Sequence, residues 1–277
     1  MGASRTAGLG KADLALIMAA MTQTLLSLLV PPGVTPGAAL SLIALSFVTS
    51  ALTGALGLGG GVTMLAAMTQ LLPPAVLLPV HGVVQIGSNF GRAVLMRADI
   101  ARPLVLPFFL GSIVGVALGA QLVGLLPRSA MLALLGAFIL WSVWAPKLRP
   151  ARLPPKWFTL AGAASSFCTM FLGSTGPLVA AFLVPDPLTR RQVVATHAGL
   201  MTIQHGLKVG AFAALGFALL PWMPMLALMI GLGFLGTLLG RALLDRMPEH
   251  RFAGGFKLVL TALALKIVAD AIALWPN

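Results

Sequence analysis

Hydrophobic residues run along this chain in long unbroken stretches, and short joints between them carry most of the charge. The stretches cover approximately 12–30, 36–56, 62–72, 76–96, 103–124, 129–146, 157–172, 177–185, 190–216, 221–242 and 252–275. A helix rises about 1.5 Å per residue, so crossing about 30 Å of hydrocarbon takes about 20 residues. Most stretches approach or exceed that length. Those at 62–72 and 177–185 do not, and are expected to form half-helices or broken spans with their neighbours. A membrane β-barrel would alternate polar and apolar positions over strands of about ten residues, so the continuous runs predict an all-α polytopic membrane protein. Proline agrees with this division: Pro31, Pro32, Pro73, Pro74, Pro127, Pro146, Pro154, Pro155, Pro185, Pro187, Pro221 and Pro248 fall at the joints, where a missing amide donor does least harm.

Two stretches interrupt the apolar pattern in the same way. His81-Gly-Val-Val-Gln85-Ile-Gly-Ser-Asn89-Phe-Gly-Arg92 is answered 116 residues later by His197-Ala-Gly-Leu-Met201-Thr-Ile-Gln204-His205-Gly-Leu-Lys208. At that offset His81 meets His197, Asn89 meets His205 and Arg92 meets Lys208. Upstream, the break Gly57-Leu58-Gly59-Gly60-Gly61 meets Gly173-Ser174-Thr175-Gly176-Pro177. Polar side chains are costly in hydrocarbon, so a repeated set points to a site used twice. Interrupted helices in corresponding halves point to a transporter. With a further shift of five residues, Gly115 and Gly119 match Gly236 and Gly240, and Pro127 matches Pro248. The glycine pairs have the spacing that lets helix backbones approach closely.

Charge then orients the chain. Arg5 and Lys11, Arg97 and Arg102, Lys147 with Arg149, Arg152 and Lys156, Arg190 and Arg191, and Arg241 with Arg246 and Arg251 cluster at alternate joints. The joints at 31–35, 73–75, 125–128 and 217–221 carry only Arg128. The positive-inside rule places the first group, and with it the amino terminus, in the cytoplasm. The expected organisation is an N-terminal segment with one helix (1–35), a first transmembrane repeat (36–146), a basic cytoplasmic linker (147–156) and a second repeat (157–277). The first repeat then runs from outside to inside and the second from inside to outside, an inverted-topology pair with its site near the midplane. Trp141, Trp144, Trp157, Trp222 and Trp275 lie near span ends, as an aromatic belt requires. Residues 12–30 read as a retained helix, since no small-residue cleavage pattern precedes Pro31.

Eighteen Lys and Arg against six Asp and Glu give a net charge of +12, which raises nucleic-acid binding. The cations sit in short joints with no interleaved aromatic platform, so no nucleic-acid partner is expected. The single cysteine, Cys168, lies in an apolar run and reads as packing. With acidic residues scarce and mostly in joints, no hard-cation site is expected. Asp270 lies within a span, one turn after Lys266, where the two can neutralise each other. Neither a zinc-protease helix nor a nucleophile elbow appears, so no enzyme activity is expected and no cofactor is implied.

The chemistry that remains suits anions. Steps of four, four and three place His81, Gln85, Asn89 and Arg92 on one helical stripe, and His197, Met201, His205 and Lys208 on another, with Gln204 beside His205. Lipid-facing amides and imidazoles would be unpaired, so both stripes should face inward. Arg92 and Lys208 have a competing reading as snorkelling side chains. Half-helices beginning at Gly60 and Gly176 present free amides and the positive dipole end, and Gly59, Gly61, Thr63, Ser174 and Thr175 complete the candidate cradle.

These motifs, namely Gly57 to Gly61, His81 to Gln85 with Ser88, Asn89 and Arg92, the Arg97 to Asp99 turn, and His205 to Lys208, resemble the TauE/SafE family of membrane transporters over roughly 36–275. The resemblance implies export of sulfite, an organosulfonate or another small anion across an inner membrane. The expected partners are that anion and the lipid bilayer, and nothing in the sequence speaks to oligomeric state. The residues alone leave proton linkage open, with a passive anion channel or an importer of a small organic anion as the alternatives.

Overall fold

The computed structural model describes residues 11–56, 59–144, 154–183, 188–243 and 250–275. Arg5, Gly57, Leu58, most of the basic linker and the joints holding Asp186, Asp245, Arg246 and Glu249 lie outside the described residues. All regular structure in the described residues is helical: α1 (Lys11–Leu29), α2 (Pro36–Leu56), α3 (Gly60–Leu71), α4 (Pro74–Leu95), α5 (Val105–Leu122), α6 (Arg128–Trp144), α7 (Trp157–Leu172), α8 (Gly176–Leu183), α9 (Arg190–Ala214), α10 (Met223–Leu243) and α11 (His250–Ala273), with short 3-10 turns between some of them. Three stretches, Pro36–Ala55, Arg102–Leu125 and Leu220–Ala242, are long and apolar enough to cross a membrane.

The two short apolar stretches are the short helices α3 and α8. At the first break Gly59 has φ +100°, and at the second Gly173 has φ +73°, backbone that glycine adopts without a Cβ penalty. The chain turns sharply at both. Gly60 lies so close against Thr49 and Thr53 that a Cβ there would overlap them, so α3 folds back on α2.

Glycine also sets how the two halves meet. α5 packs on α7 and α10 on α2, while α4 packs on α9 and α6 on α11. A Cβ on Gly115 would strike the Ala163 carbonyl, and one on Gly236 the Phe47 carbonyl. Gly119 meets Phe167 and Met170 in the same way that Gly240 meets Ala51 and Gly54. Ala163, Phe167 and Met170 follow Phe47, Ala51 and Gly54 by 116 residues each. One backbone contact therefore occurs twice, with the halves exchanging roles.

The opposite flank of α5 exposes Leu106, Leu110, Val114 and Leu118, so this helix is apolar all round while only its glycine face is covered, as lipid surroundings permit. The main core joins α2, α3, α4, α6, α10 and α11 around Leu42, Met64, Leu65, Leu135 and Met229. Trp222 departs from the aromatic-belt expectation: it is buried in that core, whereas Trp141, Trp144, Trp157 and Trp275 are exposed. Lys266 and Asp270 do pair, at 2.8 Å.

Replacing Gly236 by Leu should force α10 from α2 and destabilise the fold by roughly 1–3 kcal/mol, the usual range for overpacking. Gly231 on the same helix has open space within 4 Å, so Gly231→Ala should leave stability within about 0.5 kcal/mol of the parent. Thermal midpoints in detergent compare the two.

Candidate functional site

The polar stripes are carried by α4 and α9, the central pair of helices. α4 starts at a Pro73-Pro74 joint. α9 starts with a capping box in which the Thr189 hydroxyl accepts from the Gln192 amide at 3.2 Å and the Gln192 side chain accepts from the Thr189 amide at 3.0 Å. Both stripes face the protein interior: His81, Gln85, Asn89, Arg92, His197, Gln204, His205 and Lys208 are all buried. Their rings meet at the crossing, where His81 and His205 stand edge to face with centroids 5.8 Å apart.

Each stripe is tied to the helix break of its own half. His81 Nε2 donates to the Gly61 carbonyl at 2.9 Å, and His197 Nε2 donates to the Gly176 carbonyl at 3.1 Å. A carbonyl only accepts, so both rings carry a proton on Nε2. Their Nδ1 atoms, and that of His205, have no hydrogen-bond partner among the described residues.

Arg92 and Lys208 do not snorkel. They are 1% and 0% exposed. Lys208 runs across α4 at Gly82, where a Cβ would sit 2.9 Å from Lys208 Cε, and donates from Nζ to the Gly173 carbonyl at 2.8 Å. Arg92 donates to Asn89 Oδ1 and Ser88 Oγ at 3.3 Å each, and its Nε is unpartnered. Among the described residues Arg191 pairs with Asp99 and Lys266 with Asp270, and no carboxylate compensates either buried cation.

A small cavity lies between the breaks. The first half lines it with Thr53, Gly59, Gly61, Val62, Gln85 and Asn89; the second contributes Ser174, Gly176, Pro177, His197, Met201 and His205. Its free volume of ≈ 20 Å³ holds about one water. Gly60, Thr63, His81, Arg92, Thr175, Gln204 and Lys208 stand behind this wall rather than in it. Thr63 Oγ1 donates to the Gly59 carbonyl at 2.9 Å, closing the first turn of α3. Gln204 is fully engaged: Nε2 donates to Ser165 and Ser166 hydroxyls at 3.2 Å each, and Oε1 accepts from Thr175 at 3.0 Å. It braces the second break.

Thr53 and Val62 join the wall from outside the expected motifs, and Met201 of the second stripe and Pro177 of the second break join it without being candidate ligands. For Thr53 a signal existed. Thr49, Ser50 and Thr53 form a hydroxyl row inside an apolar span, and Ser165, Ser166 and Thr169 repeat it at the same offset of 116. The rows are used alike, since Ser50 donates to Ser88 at 3.0 Å where its counterpart Ser166 accepts from Gln204. Pro177 stands where the first half has Gly61, so the second break lacks one amide donor that the first retains. Across the cytoplasmic-expected end, Arg190 Nη2 donates to the Ala55 carbonyl at 3.0 Å, joining the start of α9 to the last turn of α2.

A family model described as Sulfite exporter TauE/SafE matches residues 42–267. Comparisons with curated proteins and with solved structures each gave no match.

Gln204→Leu leaves Thr175, Ser165 and Ser166 without their shared partner and should destabilise the protein by about 1–3 kcal/mol, the cost of stranding a buried polar group. The check is a lowered thermal midpoint in the absence of any added anion.

Proposed function

Because the chain belongs to the sulfite exporter TauE/SafE family, a family of membrane transporters and not of enzymes, we propose that it is a secondary transporter that exports sulfite or an organosulfonate across the inner membrane by alternating access. The observation that carries this reading is a buried cation in each half, Arg92 and Lys208, with no compensating carboxylate among the described residues. An uncompensated charge at membrane depth is costly, and an entering anion relieves that cost.

The anion sits between the two glycine breaks. Amides at the start of α3 and α8, the Gln85 amide, whose oxygen is held by Asn89 Nδ2 at 3.2 Å, and the His205 ring face it, while Arg92 and Lys208 supply the field from behind. The present cavity, ≈ 20 Å³, is smaller than a sulfur oxyanion, so binding goes with movement of one half against the other. The duplicated glycine contacts and hydroxyl rows, together with the opposed loop charges, support two inverted repeats that rock about this site. The same loop charges support a cytoplasmic amino terminus.

The test is reconstitution in liposomes. Sulfite flux should saturate and show counterflow; unsaturable flux without counterflow would make the protein a channel. Lys208→Met removes a buried charge together with its bond to the Gly173 carbonyl, which still accepts from Thr169 Oγ1 at 3.2 Å, so the empty protein should stay within about 1.5 kcal/mol of the parent. It should lose the stabilisation by sulfite, which for the parent reaches about 2.7 kcal/mol at a hundredfold excess over Kd. Stabilisation that survives the substitution removes Lys208 from the site. Under an imposed pH gradient, a His81→Ala, His205→Ala double variant should lose the gradient dependence of flux, and unchanged dependence removes these rings from proton linkage.

A further inference from the structure

Away from the polar site, a groove of ≈ 480 Å³ opens where α5 ends, α6 begins and α7 ends. Leu122, Leu125, Leu126 and Leu134 form one side, and Phe167 and Phe171 the other. The groove is open to the lipid-facing flank, with Leu122, Leu125 and Leu134 all exposed. Its shape and chemistry suit a hydrocarbon chain. Hydrocarbon alone explains no preference, because an acyl chain is surrounded by equally apolar neighbours in the free bilayer. The headgroup has to decide.

A cation for a headgroup follows the groove's lining closely along the chain. Arg128 opens α6 two residues after Leu126, is exposed, and makes no hydrogen bond or ion pair among the described residues. It is also the one basic residue at the joints of this end, 31–35, 73–75, 125–128 and 217–221. A cation there runs against the charge distribution that orients the protein, so orientation does not explain it. A guanidinium takes a phosphate diester in bidentate fashion, and the free amides at the start of α6 add to its field.

We propose that the groove between α5, α6 and α7 seats one acyl chain of an anionic phospholipid whose phosphate is held by Arg128. The chain then packs against Phe167 and Phe171 in the last turns of α7, immediately before Gly173, whose carbonyl receives Lys208. The bound lipid is a wall of the second helix break, supplied by the membrane.

Native mass spectrometry of the full chain released from nanodiscs of equal phosphatidylglycerol and phosphatidylcholine reads the proposal directly, without any transport measurement. The parent should retain one lipid with about a fivefold preference for phosphatidylglycerol, the effect of about one cation on an anionic headgroup. Arg128→Gln should reduce that ratio to about one, and Leu134→Trp, which places an indole in the groove, should displace either lipid. A phosphatidylglycerol preference that survives Arg128→Gln, retention that survives Leu134→Trp, or a lipid-free dimer that occupies the groove with a second copy would each overturn it. Near-ultraviolet circular dichroism confirms that both variants are folded.

Discussion

A helix interrupted at membrane depth frees backbone carbonyls and amides that hydrocarbon cannot satisfy, and the architecture around both glycine breaks follows from that requirement. The side chains that meet it come from α4 and α9. His81 reaches the Gly61 carbonyl, His197 the Gly176 carbonyl and Lys208 the Gly173 carbonyl. The polar stripes are therefore scaffold before they are anything else. With Nε2 protonated, the Nδ1 atoms of neutral His81 and His197 are acceptors, and the unpartnered Arg92 Nε–H is the spare donor among these groups. Close glycine packing of α5 on α7 and α10 on α2 holds the two halves at the separation these bonds need.

Much of this was legible in the sequence because membrane helices advertise themselves twice, by apolar length and by proline at their ends. All eleven apolar stretches coincide with helices, and the 116-residue correspondence that aligns His81 with His197 also aligns Phe47, Ala51 and Gly54 with Ala163, Phe167 and Met170, the residues against which the matching glycines pack. Other features leave a fainter trace in the sequence. Thr49, Ser50 and Thr53 look unremarkable in an apolar span because hydroxyls can bond their own helix backbone, as Thr53 does to Thr49. Sequence spacing placed Arg92 and Lys208 within reach of a span end, and only the crossing of α4 and α9 at Gly82 shows Lys208 turned inward. Trp222 was likewise positioned correctly along the chain, while its burial depends on packing no local pattern reveals.

The halves are similar without being equivalent. Gln85 is answered by Met201, Asn89 by His205, and Gly61 by Pro177. One side of the cavity is thus rich in amide donors. The other presents a thioether, an imidazole and a proline that donates nothing. An anion between them would be held by directional hydrogen bonds on one side and by a broader, softer surface on the other, which ties its orientation to the first half.

The same inequality reaches the ends of the molecule. Arg190 binds the Ala55 carbonyl and so clasps the start of α9 to the end of α2. The residue at the matching position in the first half is Pro74, which has no side-chain donor. Parting α9 from α2 must first break a charge-assisted bond, whereas parting α4 from α7 at the other face has no such bond from Pro74 to break. In the proposed alternating access the two faces would be doors of unequal weight, one of them fitted with a latch.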